Sequence, residues 1–263
     1  MTDMGGQGAK APLGVGEIIS SSFSILFGNF EKVMLLGFLG AFLGYIVNGI
    51  VLGFDVAMGV GELDPTAIGT LYFGIIFSNI VNLVVYGIIT GLLILVAYDA
   101  KLGRSHTLGE YLALAVPALL PIVVLSVAIG LLAAIGLLAL IVGAFWVYAV
   151  FYVTAPVAVI EQGGFGSMGR SAELTKEYRW PIVGLFVLVA ILAFVISLGA
   201  GALIGLVIAV LPSFLTVVVG GILFALITGF GYALGGIAVA LTYARLREIK
   251  EGVDVDQIAS VFD

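Results

Sequence analysis

From Tyr111 to Ile160, and again from Trp180 to Ala244, the chain carries no Asp, Glu, Lys, Arg or His. A helix needs roughly 20 apolar residues to cross the hydrocarbon core of a bilayer, so each stretch predicts two crossings joined by a tight turn. Pro212-Ser213 marks the later turn, whereas near Ile135-Gly136 only length points to one. Two further uncharged runs, Val33 to Phe54 and Ala67 to Tyr98, predict one crossing each, and the acidic segment with Asp55, Glu62, Asp64 and Pro65 separates them. The sum is six spans. With 10% charged residues, against about a quarter in soluble domains, and a mean hydropathy of +1.28, the composition excludes a soluble bundle. The fold class predicted is an all-α integral membrane protein with six transmembrane helices.

Charge placement orients it. All ten basic residues, Lys10, Lys32, Lys101, Arg104, Arg170, Lys176, Arg179, Arg245, Arg247 and Lys250, fall in the tails and loops that six crossings put on one side. By the positive-inside rule that side is cytoplasmic, so both termini are expected there. Residues 1–12 read as a disordered cytoplasmic tail without the basic n-region and apolar core of a secretory signal. Residues 13–250 form the six-span domain, and 251–263 a short cytoplasmic tail. Within the domain, 15–30 places Val15, Ile18, Ile19, Phe23, Leu26, Phe27 and Phe30 at helical spacing, with Glu17, Ser20, Ser21, Ser24 and Asn29 mostly opposite. This predicts an amphipathic helix on the membrane surface, phenylalanines down, or one packed on the cytoplasmic loops.

Between the two long runs, six charges gather: Glu161, Arg170, Glu173, Lys176, Glu177 and Arg179. As a helix from Phe165 to Arg179, the segment puts Arg170, Glu173, Lys176 and Glu177 on one arc and predicts the pairs Arg170 with Glu173 and Glu173 with Lys176. Trp180-Pro181 suits re-entry at headgroup level. The candidate site on this elbow is Glu161, Arg170, Ser171, Lys176, Arg179 and Trp180, either an element that sets the two spans or a surface for a partner or lipid headgroup. Tyr243, Arg245, Arg247 and Lys250 form the basic exit of the last helix, where each cation near anionic lipid contributes about 1 kcal/mol. Beyond it, Asp254 or Asp256 caps a predicted short helix with Ile258, Val261 and Phe262, expected to dock on the elbow or, as the alternative, on a partner protein.

Pro156, Val157, Val159, Glu161 and Gly163, then Arg170-Ser171, Leu174-Thr175 and Trp180, together resemble the cytoplasmic elbow of the bacterial glycerophosphoryl diester phosphodiesterase membrane-domain family. Tyr243, Leu246 and Arg247 at the end of the last span, and "GEIISSSFSILFGNF" near the start, are similar to that family as well. Met168-Gly169 departs from its pattern. The resemblance implies a multi-helix domain of the bacterial cytoplasmic membrane, in some proteins attached to a hydrolase. A hydrolase would need a soluble barrel with metal-binding carboxylates and histidines, which this sequence does not contain.

No HExxH, GxSxG or GxxxxGK[ST] occurs, cysteine is absent, and the one histidine, His106, reads as a solvated loop residue. No cofactor, metal or nucleic acid is expected; the outer carboxylates suit loop solubility better than weak cation binding. Coupled transporters commonly place ionisable residues near the midplane, and these spans have none. They do have a polar face on the second span, Asn79, Asn82, Tyr86 and Thr90, which reads as interhelical bonding or as the lining of a solute cavity. GxxxG pairs at Gly40/Gly44, Gly49/Gly53, Gly87/Gly91, Gly201/Gly205 and Gly231/Gly235 predict close helix packing, with self-association as a second use. The function expected is non-enzymatic, a structural or accessory component engaging membrane lipids or other membrane proteins. The alternative is a small-solute or lipid permease using the polar face.

Overall fold

The structure, a computed structural model, describes residues 11–58, 61, 68–101, 104 and 106–252. Every regular element among them is helical, and six helical segments, one of them built from two helices, are long and apolar enough to cross a membrane. The protein is an all-α, multi-pass membrane-type fold. Its helices are α1 (Val15–Gly28), α2 (Phe30–Leu52), α3 (Phe54–Ala57), α4 (Ile68–Lys101), α5 (Leu108–Gly136), α6 (Leu140–Val150), α7 (Thr154–Ile160), α8 (Ser167–Leu174), α9 (Arg179–Val210) and α10 (Ser213–Glu251). The acidic segment around Glu62 and Asp64 and the tail helix expected near Asp254 to Phe262 lie outside the described residues.

At the centre, α2 crosses α10 with backbone against backbone. A Cβ added to Gly37 would sit 2.2 Å from the Gly229 carbonyl oxygen, and one added to Gly229 would sit 2.6 Å from the Phe38 nitrogen. Water supplies no driving force between helices in lipid, so such close approach is what gives dispersion contacts their range. One turn pair higher, Tyr45 lays its ring over Gly221 and donates to the Val217 carbonyl at 2.9 Å. Of the spaced glycine pairs, Gly40, Gly44, Gly87 and Gly91 meet Ile89, Asn82, Ile122 and Val159 from neighbouring helices. Gly201, Gly205 and Gly231 face open space, and the decisive pair, Gly37 with Gly229, belongs to no GxxxG motif.

α1 buries Ile18, Ser22 and Leu26 and packs on α10, α2 and α9. Phe27 and Phe30 stay exposed, in a stacked row with Phe23. The helix therefore uses one face on the bundle, against which Phe23 partly packs, and offers Phe27 outward. α9 is the loosest span: Ile182, Leu185 and Ile204 are its buried residues.

The fourth span is not one helix. Pro156 lacks an N–H and its ring clashes with the carbonyl four residues back, that of Tyr152, so α6 ends at Val150 and α7 starts at Thr154. The break leaves the Val150 carbonyl without its helical donor. Ser171 Oγ donates to it at 3.1 Å, and Thr175 Oγ1 lies 2.9 Å away, within equal reach of the Ser171 carbonyl. Both hydroxyls belong to wholly buried residues of the elbow. Because two donors serve one oxygen, Ser171→Ala or Thr175→Val alone is expected to cost about 0.5–1 kcal/mol. The double variant strands the carbonyl and is expected to cost about 1–3 kcal/mol, more than the sum of the singles. Denaturation in mild detergent measures the difference, and strict additivity contradicts the shared acceptor.

The elbow helix is shorter than its charge pattern predicts. α8 stops at Leu174, and the chain turns through Glu177, whose φ is 76°. The arc that joins Arg170 to Lys176 therefore does not form; the predicted Arg170 with Glu173 and Glu173 with Lys176 pairs are not among the ion pairs of the described residues, and Arg170 pairs with Glu161 and Glu251 instead.

Candidate functional site

α7, α8 and the end of α10 converge on a charged cluster. Glu161 follows the last residue of α7, Arg170 lies in α8, and Tyr243, Arg247 and Glu251 occupy successive turns of α10. Arg170 Nε donates to Glu161 Oε2 at 3.0 Å, while Nη2 reaches Glu161 Oε1 at 3.3 Å and also bonds Glu251. Tyr243, fully buried, donates its hydroxyl to Glu161 Oε1 at 2.8 Å. Arg247 closes the ring, with Nε 2.7 Å from Glu251 Oε2 and Nη1 donating to the Tyr243 hydroxyl at 3.2 Å. Burial works against the Arg170 charge, but the two carboxylates outweigh it and hold its pKa above the usual arginine value. The elbow and the basic exit, separate in sequence, are thus one interlocked cluster.

Other members of the predicted site have different surroundings. Lys250 Nζ donates to the Glu173 carbonyl at 2.9 Å, and Lys176 is exposed. Arg245 pairs with Glu248 at 2.8 Å and donates to the Pro12 carbonyl at 3.2 Å, while Tyr178 holds the Ala11 carbonyl. Ser171 serves the broken fourth span. Arg179, the first residue of α9, lies over the Trp146 ring at 5.5 Å, and Trp146 meets Trp180 edge to face.

His106 is not simply solvated. Its Nδ1 is 2.5 Å from Asp99 Oδ2, an oxygen that also accepts the Tyr111 hydroxyl at 2.5 Å. With the Thr107/Glu110 capping box, and Lys32 donating to the His106 carbonyl at 3.4 Å, this cluster ties the starts of α2 and α5 to the end of α4. The spacing of Asp99, His106 and Tyr111, seven and five residues apart across a loop, gives no periodic signal. A groove of about 310 Å³ lies beside it, between Lys32, Leu35, Leu36, Val96 and Leu108.

The polar face of α4 divides. Asn79 is exposed and bonds its own helix at Ile75. Asn82 donates to Asn48 Oδ1 on α2 at 3.2 Å, a bond between helices. Tyr86 and Thr90 turn instead into a half-open cavity of about 370 Å³ between α4, α5, α6, α9 and α10, in the interior of the bundle. Ile122, Leu125, Ile129 and Phe186 supply apolar walls, with hydroxyls from Ser126, Tyr148, Tyr152 and Thr154. No charged side chain lines it. Thr154 Oγ1 is buried without a hydrogen-bond partner, an arrangement native interiors seldom keep, and the Thr90 hydroxyl faces that of Tyr86. The break before Thr154 is what turns Tyr152 and Thr154 to this space. Only the i, i+4 spacing of Tyr148 and Tyr152, the latter four residues before Pro156, hints at it in the sequence.

Among the described residues, no group of three metal-ligating side chains comes together. No protein-family model, curated protein or solved structure matches the chain.

Proposed function

We propose that this protein is a non-enzymatic accessory component of the bacterial cytoplasmic membrane, basic face and termini inward, that takes the apolar chain of a membrane amphiphile into the α4–α10 cavity. The cavity carries the reading. Its volume falls within the usual range of ligand sites, its walls are apolar with scattered hydroxyls, and the Thr154 hydroxyl is buried without a partner. At about 30 Å³ per water-sized group, the space holds roughly a dozen methylene-sized units. Each methylene moved from water is worth about 0.8 kcal/mol, but lipid already shelters it. Selectivity therefore rests on shape and on the hydroxyls rather than on apolar transfer.

The permease reading has less support, because Asn82 is engaged by Asn48 and Asn79 bonds its own helix, leaving no continuous polar path along α4. The resemblance to the glycerophosphoryl diester phosphodiesterase membrane domain fits a lipid-engaging role and adds no chemistry to it.

Ile129→Trp fills the cavity from a half-buried position. A fluorescent monoacylglycerol is expected to bind the purified protein and to lose at least about tenfold in affinity, or ~1.4 kcal/mol, in this variant. Equal affinity in the two proteins, with matching thermal unfolding, contradicts the cavity as the binding site.

A further inference from the structure

The elbow's arginines are not equivalent. Arg170 and Arg247 each bond carboxylates, and Arg245 pairs with Glu248. Arg179 forms no ion pair among the described residues. It is held by the face of Trp146 and by one long bond from Nη2 to the Ala172 carbonyl at 3.4 Å, and its Nε is buried without a partner. A guanidinium left with open donors at a helix start is an incomplete arrangement, since its fork matches two oxygens of a phosphate.

Its neighbours say what completes it. Trp146 and Trp180 meet at 5.4 Å, and Trp180 is exposed, the arrangement that tryptophan favours at the headgroup level of a bilayer. Further along the same two helices, aromatic rings continue to the cavity. Phe145, next to Trp146, meets Phe186 at 5.5 Å, and Phe186 stacks on Tyr148 at 5.9 Å. Phe186 and Tyr148 are themselves cavity walls. The seam between α6 and α9 therefore joins an unpaired cation at the surface to an uncharged cavity below, and α9, the least buried span, forms one side of it.

We infer that Arg179, with Trp146 and Trp180, is the headgroup site of this cavity and selects amphiphiles that bear a phosphate. The phosphate sits at the Arg179 guanidinium, between the indole rings and the first turn of α9. Its chain passes Phe186 and Tyr148 into the space around Tyr86, Thr90 and Thr154. This assignment rests on the cavity reading above and adds the ligand's charge to it. The source is a lipid of the surrounding leaflet rather than free phosphate, because the site opens toward an apolar seam whose burial only a chain can use.

Purified protein in a phosphate-free alkyl maltoside micelle, titrated with fluorescent lysophosphatidic acid and with monoacylglycerol of the same chain and label, tests it. The wild type is expected to bind the phosphate-bearing probe about fivefold more tightly, the factor for one cation near a phosphate surface. Arg179→Gln is expected to remove the difference between the probes, and Arg179→Lys to keep part of it. Inorganic phosphate is expected not to displace either probe; displacement would reassign the site to the free anion. A wild type without preference, or an Arg179→Gln variant that keeps the full preference, overturns the headgroup site. Failure of the monoacylglycerol to bind at all, or binding untouched by Ile129→Trp, overturns the cavity reading instead.

Discussion

Gly229→Leu is expected to leave almost no folded protein in the membrane fraction that survives mild detergent, while Gly231→Leu, two residues on, extracts as the wild type does. Both glycines sit in α10, and leucine is the better helix former at either position. Local propensity therefore predicts two gains. Packing reverses one of them: the space beyond Gly229 is occupied by backbone atoms of Gly37 and Phe38, whereas nothing lies within 4 Å of a Cβ at Gly231. Side chains can rotate away from an added group, but the backbone of a helix cannot without moving the helix. Overpacking of an ordinary core costs about 1–3 kcal/mol; here α2 and α10 must separate along the crossing, which takes the expected loss beyond about 4 kcal/mol. Gly229→Ala is intermediate. Fluorescence-detected gel filtration after heating measures all three, and a Gly229→Leu peak that melts with the wild type contradicts the backbone contact.

The same pair shows what the sequence reveals and what it conceals. Span number and rough position follow from uncharged length, because a bilayer tolerates almost no charge over about 20 residues. The predicted Pro212-Ser213 turn coincides with the gap between α9 and α10, and the turn expected near Ile135-Gly136 with the close of α5. Which helices touch is not encoded by a period. Gly37 and Gly229 are far apart in the chain, and each alone is one of 37 glycines. Spaced motifs drew attention to Gly201 and Gly205, which touch nothing within 4 Å. In the elbow, helical periodicity predicts neighbours three residues along, yet the chain turns at Glu177 and the carboxylates that meet Arg170 come from Glu161 and Glu251.

The broken fourth span links that elbow to the cavity. In the break before Pro156 the Thr154 N–H bonds Phe151 and leaves the Val150 carbonyl free, Ser171 and Thr175 satisfy it, and the segment between α6 and Pro156 carries Tyr152 and Thr154 to the cavity wall. A hydroxylated cavity in an apolar bundle thus depends on two buried hydroxyls of the elbow.

Glu161 is where these dependences meet, and Glu161→Ala is expected to be the most damaging single change in the elbow. It withdraws the acceptor of Arg170 and of the fully buried Tyr243 hydroxyl in one step and removes the carboxylate 3.9 Å from Arg247. An exposed ion pair is worth about 0–1 kcal/mol. These side chains are only partly exposed, from 17% for Arg247 to 32% for Arg170, and a hydrogen bond to a charged group contributes about 1.5–3 kcal/mol. Discounted for the remaining solvent, the loss expected is about 2–3 kcal/mol. Glu161→Gln keeps an acceptor for Tyr243 without the charge and is expected to lose about half as much. Adding Arg170→Ala to Glu161→Ala then costs little, because the arginine has already lost one of its two carboxylates. A double-mutant cycle on unfolding in mild detergent is expected to return a coupling of about 1–2 kcal/mol. Purely additive losses would mean that the two side chains act independently, and that the Glu161–Arg170 pair does not couple α7 to α8.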